Sequence, residues 1–397
     1  MKKRVLFNWI DGGVTAPAGF LAAGVGCGIK KEGKDLALLY SEAPASAAAL
    51  LTVNRVKAAP VAVTGKHLSD GTARAVIANS GGANACTGED GYNDAVAMCR
   101  EVAVRLGLDP ADVAVASTGK IGVRLPIDKV LAGVAWLAEN MSDGGGGDAA
   151  EAILTTDTRK KECALSLDNG GKEVRIGAMA KGAGMICPHM ATMLAFITTD
   201  AAIEPGLLRE ALTEAVDASF NRITVDGDMS TNDTVICMAN GRSGAGRIEI
   251  RDSSYEALAA GLEAVCVKLA REIVLDGEGA TKFVEIRVRG ASSDGDALEA
   301  CRAIATSNLF KAALYGRSPN WGRMMAAIGA SRAVFEPCDV EVFVGGEKVI
   351  EGGMIVSRNA DLLEADRIEI EVVLGDGNGE SRVWTCDLSP EYVEVNI

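Results

Sequence analysis

Residues 181–201, KGAGMICPHMATMLAFITTDA, put a hydroxyl where packing does not ask for one. A glycine-containing turn runs to Pro188, the small Ala191 follows, and Thr192 opens the apolar run MLAFI. The Thr192 Oγ can attack the Ala191 carbonyl if the backbone there is strained and the carbonyl oxygen is held. The peptide then becomes an ester, which water cuts. The new chain would begin at Thr192, with an α-amine beside its own hydroxyl. An unperturbed α-amine titrates at about 7.7–8.0, so near neutral pH it can take the hydroxyl proton without a histidine. That suits a chain with only two histidines, His67 and His189. A Ser-His-Asp or Cys-His mechanism would have to use one of these two. The same spacing also suits a threonine that merely opens a buried strand, and the local residues alone do not separate the two.

Other polar clusters read differently. Asp226, Asp228, Asn232 and Asp233 in TVDGDMSTND resemble metal ligands at first sight. The EF-hand pattern fails, because no Glu follows the Gly at the required distance. Turn and backbone-capping roles are expected instead. Arg317, Trp321 and Arg323 in GRSPNWGR read as a packed helix start, not a phosphate site. The glycine-rich stretches hold no Walker A pattern. The ten cysteines form no CxxC pair, so buried thiols in a reducing compartment are expected and no metal or cofactor is implied.

The bulk numbers bound the function class. The formal charge of -14 argues against a general nucleic-acid binder, which needs cations to release counterions, and against anionic membranes. Hydrophobic residues at 48% and charged residues at 24% are the balance of a folded soluble protein, and the acidic charge fits an enzyme for small metabolites better than a nucleic-acid or membrane binder. The start MKKRVLFNWIDGG has too short an apolar stretch for a signal peptide, and no run approaches a membrane span, so a cytoplasmic protein is expected.

Periodicity supplies the elements that must position Thr192. Helical spacing covers 91–106, 126–141 behind Pro126, 205–220 behind Pro205, and 255–274. AVIAN (75–79) and VAVAS (113–117) are short buried strands, and 164–168 with 172–180 form a hairpin across DNGG. Residues 283–290, 339–346 and 367–375 alternate in period two. The sum is an α/β fold with much antiparallel sheet and helices covering sheet faces. SDGGGGD (142–148) is expected to be a flexible surface loop.

Longer blocks carry a resemblance. GGVTAPAGFLAAGVGCGIK (12–30), NSGGANACTG (79–88), STGKIG (117–122), KGAGM, MATMLAFITTDA, NRITVDGDMSTNDT (221–234), GEGATK (277–282) and GRSPNWGRMMAAIGAS (316–331) occur in this order. With them the chain resembles the glutamate N-acetyltransferase/ornithine acetyltransferase family of arginine biosynthesis over almost its whole length. The resemblance implies layered sheets packed between helices, in a self-cleaving, N-terminal-nucleophile-like architecture. It implies an α chain of 1–191 and a β chain of 192–397, jointly one catalytic unit, with two such pairs assembled as (αβ)2. The implied reaction moves acetyl from N2-acetylornithine to glutamate through an acetyl-Thr192 intermediate. Some members also accept acetyl-CoA. The rival from a related chemistry is a self-cleaving amidohydrolase or aminopeptidase with water as acceptor.

Residue by residue, the resemblance makes Thr192 the nucleophile and Ala191–Thr192 the cleavage site. Thr118 and Gly119 of STG would form the oxyanion hole. Thr155 in LTTDT, Lys181, Glu278 and Asn396 would contact substrate, as would Thr192 itself. Lys181 can pair an α-carboxylate, and Glu278 can meet the distal ammonium of ornithine. Two positions depart from the family: His189 stands where Asn is usual, and Gly82 replaces an Asn of the NSGNANACTG block. The family also runs a few residues past its tail Asn to a Thr lining the pocket, a contact expected to be missing where the chain ends at Ile397.

Self-cleavage has a direct readout. On a denaturing gel the protein is expected to separate into pieces of 191 and 206 residues. Thr192→Ala should stay as one band, whereas Thr192→Ser, which keeps the hydroxyl and the amine, should still be cut.

Overall fold

A computed structural model of the chain describes residues 6–187 and 193–397. The Ala191–Thr192 junction and His189 lie outside the described residues. Two compact units account for the fold: Met1–Gly182, His189–Asn221 and Met229–Ile273 in one, Ala183–Pro188, Arg222–Asp228 and Val274–Ile397 in the other.

The first unit runs β1 (Phe7–Ile10), β2 (Phe20–Val25), β3 (Leu36–Leu51), α1 (Ala59–His67), β4 (Thr72–Asn79), α2 (Gly88–Leu106), β5 (Val113–Ser117), α3 (Ile127–Asn140), α4 (Gly146–Ala152), β6 (Lys161–Asn169), β7 (Lys172–Lys181), β8 (Leu194–Thr199), α5 (Pro205–Asp217), β9 (Thr234–Ala239) and α6 (Ser253–Leu275). Its strands form one sheet in the order β1-β6-β7-β8-β9-β3-β4-β5, with β2 added to β3. β3 is long enough to pair β4 along its first part and β9 along its last six residues.

Both faces of this sheet are buried, which is why its strands read as continuous apolar runs rather than alternating ones. Side chains point to opposite faces in turn. Leu36 and Leu38 of β3 meet Met98, Val102, Val130 and Val134 of α2 and α3 on one side. Ala37 and Leu39 meet Phe196, Met238 and the alanines of α4 on the other. The predicted hairpin is β6–β7, turning at Gly170 and Gly171.

The SDGGGGD expectation is corrected. Ser142 exchanges backbone hydrogen bonds with Ala22 of β2, and α4 begins inside the glycine run. A Cβ at Gly145 would lie 1.8 Å from the Ala22 carbonyl oxygen. The glycines here permit close approach of backbone to sheet, not looseness.

The second unit adds β10 (Phe283–Ala291), α7 (Asp294–Ala305), α8 (Asn308–Tyr315), α9 (Gly322–Gly329), β11 (Glu341–Val344), β12 (Glu347–Glu351), β13 (Met354–Ile355), β14 (Arg367–Val373), β15 (Gly379–Cys386) and α10 (Pro390–Val395). Its sheet order is β13-β12-β11-β14-β10-β15. Here the period-two pattern is the packing pattern. Val284, Ile286 and Val288 join Cys301, Ile304, Phe310, Leu314 and Met324 in one core. Glu285, Arg287 and Arg289 alternate with them, and Arg289 pairs Glu371 at 2.8 Å across the strands. Trp321 is buried at the start of α9 with its Nε1 donating to Ser357 O, and Arg323 donates to Leu309 O, so this block is the packed helix start its sequence suggested.

Six of the ten cysteines, Cys99, Cys163, Cys237, Cys266, Cys301 and Cys386, are buried as free thiols. Among the described residues no helix is long and apolar enough to cross a membrane.

Truncating the centre of β10 tests the one-sided core. Ile286→Ala should cost about 2–5 kcal/mol in urea unfolding. Glu371→Gln, on the polar face, should cost no more than about 1 kcal/mol.

Candidate active site

β5 delivers Ser117 to the sheet end, and the chain turns there through Thr118 and Gly119. Polar side chains hold that turn. The Ser117 hydroxyl donates to Asn79 Oδ1 at 2.6 Å, and Asn79 Nδ2 donates to Gly82 O at 2.9 Å. Asn232 Nδ2 donates to both Ala83 O and Ser117 O. Gly119 adopts φ +127°, and a Cβ on it would lie 2.4 Å from the Gly81 carbonyl carbon, so no other residue fits. At Gly82, a Cβ would lie 2.7 Å from Leu125 Cδ2, so Leu125 fills the space a larger residue would need. Thr118 is buried and Gly119 is exposed. Among the described residues the Gly119 N–H has no hydrogen-bond acceptor.

The end of β7 brings Lys181 to the same place. Its Nζ donates to Thr118 Oγ1 at 3.3 Å, across 63 positions of sequence. Because the Thr118 oxygen accepts this bond, its own proton remains available to a further acceptor.

Beneath Lys181 lies Asp157, whose side chain is fully buried. Its Oδ1 accepts from Lys161 Nζ at 2.7 Å and from the Gly182 N–H at 2.7 Å. Its Oδ2 accepts from the Thr155 N–H at 3.1 Å and stands 3.9 Å from Lys181 Nζ. Burial alone would raise this carboxyl, but the charges of Lys181 and Lys161 and the hydrogen bonds from Lys161 and Gly182 outweigh it and bring it down to about 2. Sequence reading missed Asp157. It lay inside the LTTDT block, but nothing in the sequence showed that Lys161 and Lys181 would converge on it.

Asp233, at the entry to β9, completes this unit's cluster. It caps backbone, as TVDGDMSTND suggested: its Oδ1 accepts from the Met193 N–H at 3.0 Å. Among the described residues no group of three or more His, Cys, Asp and Glu is placed to hold a metal. Thr118, Gly119, Thr155 and Lys181 are therefore gathered within one unit, and Met193 lies against Asp233. Thr192 and Ala191 lie outside the described residues.

The second unit carries Glu278 and Asn396. Asn396 Nδ2, from the end of α10, donates to Glu278 Oε2 at 2.8 Å. The Glu278 N–H donates to Ala183 O at 2.9 Å. Asp226 accepts from the N–H groups of Met185 and Ile186, again a backbone cap.

Asp157 gives a pH signature with a definite sign. Its folded pKa is depressed below the unfolded value of about 3.9, so its stabilisation is complete above about pH 4 and is lost as pH falls towards 2. The stability gap between wild type and Asp157→Asn in urea unfolding should be constant from pH 7 to 5. It should then narrow by about 2 kcal/mol as pH drops to 2. A gap that ignores pH would show that the carboxylate is not paired in this way.

Comparison with known proteins follows the same residues. The ArgJ family model matches residues 21–397. The chain is 51% identical over 396 residues to the arginine biosynthesis bifunctional protein ArgJ of Symbiobacterium thermophilum, with 98% of each chain covered. It is 46% identical over 392 residues to the protein of the same name in Bacillus subtilis, covering 98% of this chain and 96% of that one. Among solved structures it is similar to an ornithine acetyltransferase of Mycobacterium tuberculosis complexed with ornithine, at 50% identity and a TM-score of 0.44, over 46% of this chain and 98% of that one. The matched span includes each of the site residues just described, and the chain belongs to the ArgJ family.

Proposed function

We propose that this chain cuts itself between Ala191 and Thr192 and then carries acetyl from N2-acetylornithine to glutamate on Thr192, as an enzyme of arginine biosynthesis. The observation that supports the reading best is the Lys181–Thr118 contact, 3.3 Å, beside the exposed Gly119. Residues assigned by family resemblance to substrate binding and to the oxyanion hole, far apart in sequence, meet where β5 and β7 end. The relatives' names supply the pathway.

Thr192 Oγ attacks the acetyl carbonyl of N2-acetylornithine, and its proton passes to the Thr192 α-amine. The Thr118 hydroxyl and the Gly119 N–H stabilise the oxyanion. Collapse returns the proton to the departing nitrogen of ornithine, leaving an ester on Thr192. The amine of glutamate then attacks that ester, and N-acetylglutamate leaves. One amide is exchanged for another of near-equal free energy, so no energy-rich donor is required. Lys181 would pair the α-carboxylate common to both amino acids. Glu278 would meet the distal ammonium of ornithine, and Thr155 and Asn396 complete the contacts. The α chain (1–191) and β chain (192–397) would stay together and pair as (αβ)2 in the cytoplasm.

Feeding N2-acetylornithine with and without glutamate tests the reading. N-acetylglutamate should form, with little acetate when glutamate is withheld. Rapid acetate release without glutamate, and no acetylglutamate with it, would establish the hydrolase instead. Thr118→Ala should lower kcat by about 100- to 1,000-fold, the usual effect of losing one oxyanion donor.

A further inference from the structure

We propose that Asp387 and Ser389, in the link between β15 and α10, are positioning residues for the pair Glu278–Asn396. Through that pair they set how strongly the site prefers an acyl donor with a distal ammonium, which rests on the reading of Glu278 as the group that meets it.

α10 needs an outside hold. It spans six residues and buries none of them, and so short a segment is not helical in water by itself. Its far end nevertheless puts Asn396 against Glu278, 118 positions away in sequence. The link before the helix supplies the hold. Asp387 is 2% exposed. Its Oδ1 accepts from the N–H groups of Thr281 and Lys282 at 2.8 and 2.9 Å, and its Oδ2 accepts from the Thr281 hydroxyl at 2.5 Å. Hydrogen bonds to a carboxylate are stronger than neutral ones, so one side chain ties the end of β15 to the GEGATK segment. Two residues on, the buried Ser389 donates from Oγ to Gly279 O at 2.6 Å.

Gly279 lets the two segments close up. It adopts φ +66°, and a Cβ there would lie 2.5 Å from the Tyr392 backbone nitrogen. The first turn of α10 therefore rests directly on the residue after Glu278. The Tyr392 hydroxyl adds a hydrogen bond to Asp226.

The outcome is a carboxamide with both N–H bonds engaged. Asn396 Nδ2 donates to Glu278 Oε2 and to Tyr392 O, each at 2.8 Å. What Asn396 has left to offer a ligand is its carbonyl oxygen, next to the Glu278 carboxylate. Two neighbouring acceptors suit an ammonium, which carries three donors and no acceptor. An aliphatic end would leave them without a partner. If Asp387 or Ser389 is cut back, the Glu278 turn and α10 are no longer held together. The carboxamide then leaves the carboxylate, and the seat for the ammonium loosens.

The test compares kcat/KM for N2-acetylornithine with that for N-acetylnorvaline, which carries hydrogen in place of the distal ammonium. Wild-type protein should prefer the former by about 10- to 100-fold. Glu278→Gln should remove most of that preference. If the wild type shows none, or Glu278→Gln leaves it intact, the reading of Glu278 fails and the inference falls with it. With that reading upheld, Asp387→Ala should shrink the preference about fivefold or more, chiefly through a higher KM for N2-acetylornithine. N-acetylnorvaline, which has no ammonium to place, should lose much less. Asp387→Asn keeps an acceptor for the two amides and should recover most of the preference. Added to Glu278→Gln, Asp387→Ala should change the ratio no further, because it acts through Glu278. Ser389→Ala removes a single hydroxyl and should move the ratio in the same direction, which decides the matter if Asp387→Ala does not fold. A ratio that stays at the wild-type value in the folded variants, or equal losses for both substrates, overturns the proposal while leaving Glu278 in its role.

Discussion

A carboxylate buried between two buried ammonium groups sets the geometry of the site. Asp157 meets Lys161 at 2.7 Å and Lys181 at 3.9 Å, and it also holds the amides of Thr155 and Gly182. None of these charges would be tolerated alone in that position, since removing one member of a buried pair strands the other. Their mutual dependence fixes the end of β7, and with it the direction of Lys181 toward Thr118. The loop before β6 and the end of β7 are thereby tied to one point beneath the Thr118–Gly119 turn.

The turn itself is set by a different constraint. Asn79, Ser117 and Asn232 bind one another and the backbone around Thr118 through buried hydrogen bonds. Partly satisfied, such a network would be worse than an apolar one; satisfied, it specifies a single arrangement. Gly119 then approaches Gly81 so closely that a side chain is excluded, which leaves its N–H at the surface of the turn. Strand pairing brings the network together: β4 and β5 run parallel and end at Asn79 and Ser117, while Asn232 precedes β9.

Much of this was legible in the residues, and for identifiable reasons. α3 and α5 follow their prolines, α2 stops at Gly107 in a left-handed conformation, and the β6–β7 hairpin turns on its glycines, because these signals are local. The alternation of β10 and β14 showed a half-buried sheet, since one face of that sheet is charged. What escaped is long-range. The sixteen residues of β3 gave no clear period, because both of its faces are buried. The glycine run at 142–148 reads as slack in sequence and packs tightly in space, because its neighbour is the carbonyl of Ala22. Within the site, Thr118 and Lys181 were reached through resemblance, whereas Asp157 needed the fold: its meaning lies in two lysines that only strand pairing brings to it.

In the proposed reaction one threonine side chain acts first on its own backbone and then on a bound amide. Intact-protein mass spectrometry during turnover of N2-acetylornithine, with glutamate withheld, measures this most directly. A 206-residue fragment should gain a single acetyl group on its first residue, Thr192, and lose it when glutamate is added. An acetyl group on any other residue, or turnover by an uncut chain, would contradict it.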